Sequence, residues 1–169
     1  MNTSPQPNPA TVEVLLDTTW RLTASEASRT DALDRKAATL ATFASLLTAL
    51  TATLGLRFVE DTLAWWALTL FTGALVLLGT AVVLAVIVLL PREYLTLGID
   101  YLRRFPTWSE IVKAPEQVRG ETMRTLIRAI AREREGNDAK ARLVGWAYIA
   151  LAAALVLTIA EAVTLGGTR

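Results

Sequence analysis

Residues 63–90 read LAWWALTLFTGALVLLGTAVVLAVIVLL, a run without a single charge. The hydrocarbon core of a bilayer, about 30 Å thick, is crossed by roughly 20 apolar residues of helix. At about 1.5 Å per residue this run outlasts the core, so it is expected to tilt or protrude, and Pro91 closes it. Two further segments qualify on either side, 37–56 and 143–165. The expected fold is an all-α integral membrane protein with three transmembrane helices, 37–56, 63–90 and 143–165.

Composition agrees. Of 169 residues, 53% are hydrophobic, and the mean hydropathy of +0.40 exceeds that of an ordinary soluble domain. Cysteine and histidine are both absent. That removes disulfides, thiolate nucleophiles, the usual zinc ligands and the commonest general base, and leaves the redox compartment unreadable. The opening MNTSPQPNPATVEV lacks the basic start and apolar core of a secretory signal. Residues 1–9, with Pro5, Pro7 and Pro9, read as a disordered tail.

Charge sets the orientation. Lys and Arg number 17: four precede the first span (Arg21, Arg29, Arg35, Lys36), Arg57 sits in the hairpin, Arg169 ends the chain, and the rest lie in 91–142. Basic loops stay cytoplasmic. Residues 10–36 therefore form a cytoplasmic helix continuous with span one, 91–142 a cytoplasmic basic helical insert, and the hairpin and C-terminus face outward. Trp65 and Trp66 fall where an aromatic belt sits.

The first span is rich in alanine, threonine and serine. At 100° per residue, Ala38, Ala41, Ser45, Thr48, Ala52 and Gly55 share one face, with Leu40, Phe43, Leu47, Leu50 and Leu54 roughly opposite. Small residues let membrane helices approach closely, so this face reads as a packing seam within one subunit. Its sharper reading is a pore lining shared among copies, with Asp31 and Asp34 extending the register as carboxylate rings. Both aspartates also read as solvated positions paired with Arg35 or Lys36.

Within 10–36, Val12, Leu15, Leu16 and Leu22 lie loosely on one side, suiting a docking surface, and Trp20 suits contact with the lipid interface. In the insert, a longer helix starts near Pro115, with Val118, Met123, Leu126, Ile127 and Ile130 as its buried side. Gly136, Asn137 and Asp138 read as a stop and restart, with Asn137 or Asp138 as an N-cap. Arg124, Arg128 and Arg132 recur every fourth residue. Such a stripe suits a solvated face, anionic headgroups, or a phosphate ligand held by guanidinium forks. The nearby YLRRFPTW, residues 101–108, adds Arg103, Arg104 and Trp108, charge and stacking for a nucleotide. No phosphate-loop motif accompanies them.

Glu161, the ionisable residue inside the third apolar run, reads as an interfacial carboxylate or a gating charge. Nucleophile, base and metal carboxylates do not converge at one depth, so the chain reads as no enzyme, with no cofactor and no metal.

The order of these parts resembles a family. A cytoplasmic helix, then DRKAATLATFASLLTAL (34–50) opening an alanine-rich span, a hairpin, and an insert ending REGNDAKARLVGWAYIALAAAL (134–155) are similar to the Pycsar effectors, and to the related SLATT-type effectors, over most of 12–165. The resemblance implies a protein silent in the bacterial inner membrane until a nucleotide signal made during phage infection triggers abortive infection. Implied partners are the lipid bilayer, further copies in a homo-oligomer, and a nucleotide second messenger or the partner enzyme that makes it. No stable genomic DNA binding is expected. Within these 169 residues no separate cyclic-nucleotide-binding domain is expected beside three spans, so sensing is expected to fall to 91–142 or to a partner. The expected function is an oligomeric ion channel or membrane-disrupting assembly, against a non-conducting adaptor that holds another protein at the membrane.

Overall fold

The computed structural model describes residues 9–58, 65–90 and 115–166, and all the described regular structure is helical. Three helices follow in order: α1 Pro9–Phe58, α2 Trp65–Leu89 and α3 Pro115–Gly166. Pro115 opens α3, where its missing N–H costs nothing and its fixed φ suits the first turn. The C-terminus of α2 closes with the Leu90 amide donating to Val86 O at 3.1 Å. Among the described residues, two helices are long and apolar enough to cross a membrane, Trp65–Leu89 and the Gln117–Val163 part of α3.

The described residues divide into two compact units. One takes α1 up to Asp31 and α3 up to Asp138; the other takes α1 from Ala32, all of α2, and α3 from Ala139.

In the second unit, packing is set by alanine. Leu40 and Ala44 of α1, Ala81 and Ala85 of α2, and Ala147 and Ala150 of α3 form one buried cluster. Beside it Ala37, Val88 and Val144 form another. Buried positions step by three, four or seven along each helix: 37, 40, 44, 51 on α1, 74, 78, 81, 85, 88 on α2, and 140, 144, 147, 150, 154 on α3. That seven-residue rhythm keeps one seam facing its neighbours, and alanine in the seam lets backbones approach. At Gly73 a Cβ would lie 3.4 Å from Leu157 Cδ1, an ordinary contact that marks how near α2 and α3 run.

The outer surface of this unit reverses the soluble pattern. Phe43, Leu46 and Leu50, Val76, Val83 and Val86, and Ile149, Val156 and Ile159 are all exposed. Small side chains inside and large apolar ones outside fit hydrocarbon, where burial of apolar surface does not drive helices together. Threonines on these helices satisfy their hydroxyls locally. Thr42, Thr53, Thr69, Thr80 and Thr158 each donate to the carbonyl four residues earlier, at 2.7–3.0 Å. Each of these five hydroxyls has a backbone acceptor.

One sequence expectation is corrected here. Gly136–Asp138 neither stops nor restarts a helix: α3 runs through them, and the Asn137 carboxamide bonds across to α1 instead of capping its own backbone. Leu40, opposite the small-residue face, is 2% exposed. It is the one large side chain among the buried members of an otherwise alanine cluster, filling space that the small residues leave.

Candidate functional site

Within the first unit, α1 and α3 meet through polar side chains. Asn137 is fully buried. Its Nδ2 donates to Glu26 O at 3.2 Å and to Glu26 Oε2 at 3.0 Å, and its Oδ1 accepts from the Thr30 hydroxyl at 2.9 Å. Thr30 Oγ1 also lies 3.1 Å from Glu26 O, so its single proton has two acceptors in reach. Arg29 extends the cluster, with Nη2 2.7 Å from Asp138 Oδ1 and Nη1 3.7 Å from Glu26 Oε2. A buried amide whose donors and acceptor are all used fixes the register of two helices, because sliding by a residue strands every one of them.

Glu133 stands against this cluster. Its Oε2 is buried without a hydrogen-bond partner. Desolvation, and then the neighbouring Glu26 carboxylate, push its pKa up from the ordinary glutamate value.

In the second unit, Lys140 is 2% exposed, and its Nζ lies 2.7 Å from Asp34 Oδ1. Lys140 occupies a position of the α3 seam that continues as Val144 and Ala147.

The residues singled out from the sequence distribute unevenly. Arg124, Arg128 and Arg132 are exposed on α3 in the first unit, and Arg128 Nε donates to Arg124 O at 3.3 Å. Arg103, Arg104 and Trp108 lie outside the described residues. Along α3 beside the arginine stripe, Leu126 is buried and Val118, Met123 and Ile130 are half-buried, while Ile127 is exposed, against expectation. Ile127 sits a full 100° from Leu126, past the edge of the buried stripe.

Along α1, burial centres on Ala37, Leu40, Ala44 and Thr51. Ala38 and Ser45 are exposed, and Ala41, Thr48 and Ala52 flank the seam half-buried. Small residues occupy two adjoining faces here, so composition alone could not choose between them. Thr48 donates its hydroxyl to Ala44 O at 2.7 Å. Gly55 falls within α1, and its surroundings lie outside the described residues. Asp31 is exposed, and Asp34 meets Lys140 rather than Arg35 or Lys36. Glu161 is half-buried in α3.

Sequence reasoning missed Lys140 and the buried role of Asn137. The signal was present: stepping back by three and four from Val144 and Ala147 reaches both.

The model of the Pycsar effector protein domain matches residues 18–166. The chain belongs to the Pycsar effector family. The match takes in the polar cluster, the ion pair, the arginine stripe and all three alanine seams. No curated protein and no solved structure matches the chain. A Pycsar effector is a membrane effector of cyclic-nucleotide antiphage defence, and the alanine-cored, outwardly apolar second unit suits that setting.

Proposed function

We propose that this Pycsar effector assembles as a homo-oligomer of three-span subunits in the bacterial inner membrane and raises membrane permeability when a cyclic nucleotide is recognised on its cytoplasmic side. The carrying observation is the inverted surface of the second unit, alanine inside and Phe43, Val83 and Val156 outside, on a chain of this family. In this reading α1 supplies the third span: residues 37–53 carry no charge, and Ala37, Leu40 and Ala44 pack with the other two helices. The basic content of 91–142 supports a cytoplasmic N-terminus and an external C-terminus.

Recognition is assigned to Arg124, Arg128 and Arg132, with Arg103, Arg104 and Trp108 from the same insert. Exposed guanidinium groups at four-residue spacing present forks to phosphate oxygens. Ser45 and Ala38 lie on the open face of α1, where copies could meet along small residues or line a pore, and Glu161 is the candidate gating charge. Permeation requires no chemistry on a substrate, so the protein is proposed to be no enzyme.

One observation favours a second reading. Val14, Leu15 and Leu22 are exposed on α1 in the first unit, as a non-conducting adaptor would present them to a partner protein.

The test uses cells that express the protein with or without a nucleotidyl cyclase and carry a membrane-potential dye. Depolarisation only with an active cyclase is expected. Stable potential in both, with the protein verified in the membrane fraction, would favour the adaptor.

A further inference from the structure

Lys140 is out of keeping with its place. The α3 seam below it is valine and alanine, yet here a side chain 3% exposed carries an ammonium to within 2.7 Å of Asp34 Oδ1 on α1. Taking such a pair out of water costs about as much as its attraction returns, so an apolar pair at the site would hold the helices equally well. Removing the Asp34 carboxylate alone is different, because it takes a close anion from an ammonium that stays desolvated. The contact is therefore conditional: the carboxylate facing the amine favours the closed helices, and its loss weakens them. The partners are also unequal. Asp34 is 38% exposed, so water and cations reach the carboxylate from outside while the amine stays enclosed.

We propose that the Asp34–Lys140 ion pair is the latch of the silent state, holding α1 against α3 until activation parts it. This rests on the effector reading above, in which one protein has a silent and a permeabilising state. It changes the part given to Asp34, from a member of a carboxylate ring to one half of a contact inside the subunit.

The test is dye release from liposomes containing the full-length protein, with and without a panel of purine and pyrimidine cyclic mononucleotides. Asp34→Asn is expected to raise nucleotide-free release by about tenfold or more, as a shifted two-state equilibrium requires. Asp34→Leu combined with Lys140→Met, which removes both charges, is expected to return release to the wild-type baseline. A bridged variant gives an independent arm. The chain has no cysteine, so Asp34→Cys with Lys140→Cys offers two thiols that a short bis-maleimide can join. Joining them is expected to abolish the nucleotide response, and capping them with a monofunctional maleimide to spare it.

Nucleotide-free release from Asp34→Asn at the wild-type level, in a preparation whose wild type does respond, overturns the latch; so does a response that survives bridging. If Asp34→Asn fails to reconstitute, the bridged variant decides alone. A wild type that releases no dye with any nucleotide overturns the effector reading and the latch with it.

Discussion

Thr30 on α1 donates its hydroxyl to the Asn137 carboxamide oxygen on α3 at 2.9 Å, two residues 107 positions apart in the chain. Replacing Asn137 with alanine removes the donors that serve Glu26 and leaves buried polar atoms without partners. A loss of about 1–3 kcal/mol is expected, read from thermal or denaturant unfolding in detergent. Asp138→Ala, which removes a half-exposed partner of Arg29, is expected to cost no more than about 1 kcal/mol. Equal losses would contradict a register-setting role for Asn137.

Glu133 gives a pH signature. Its pKa is raised in the folded protein by desolvation and by Glu26. The stability tied to its proton is complete in acid and is lost as pH rises from the ordinary glutamate value through the raised one. Glu133→Gln cannot ionise. Its unfolding free energy relative to wild type is therefore expected to improve as pH climbs from about 4, then level off. A difference that stays flat or declines over that window would contradict the buried placement.

The alanine core sets a third expectation. Ala81→Leu inserts three carbons where α1, α2 and α3 meet, and a cost of about 1–3 kcal/mol is expected. Val83→Ala, on the exposed side of the same helix, is expected to stay within about 0.5 kcal/mol. The pair, compared by unfolding in the same detergent, separates inward from outward faces.

Replacing Arg124, Arg128 and Arg132 together with alanine is expected to abolish the shift in melting temperature produced by cyclic nucleotides. The unliganded melting temperature should hardly move, since all three side chains are exposed. A retained ligand shift would remove the stripe from the binding site.

Ser45→Leu addresses the open face of α1. Lost conductance with preserved oligomer size on native gels is expected; unchanged conductance would take Ser45 out of the pore.

Much of the helical content could be read from the chain. The 63–90 run requires a helix by its length, and Pro115 locates the start of α3. Faces were harder. In 37–53 alanine, serine and threonine occupy neighbouring sides of one helix, so the hydrophobic pattern that marks a soluble core has no contrast to offer, and spacing alone does not single out Leu40 as buried. Asn137 misled for another reason: beside Gly136 and Asp138 its local preference is to cap, and only the tertiary contacts with Glu26 and Thr30 hold it mid-helix. The charge of Lys140 marks it as a cytoplasmic cation, whereas its spacing from Val144 places it in the seam.

The most direct measurement is ion flux across liposomes carrying the purified wild-type protein, recorded while each member of a purine and pyrimidine cyclic mononucleotide panel is added. Flux that begins with one nucleotide, and is absent from protein-free vesicles, is the expected result. Verified insertion with no flux under any nucleotide would contradict a permeabilising effector and leave α1, with its exposed Val14, Leu15 and Leu22, as the docking surface of an adaptor.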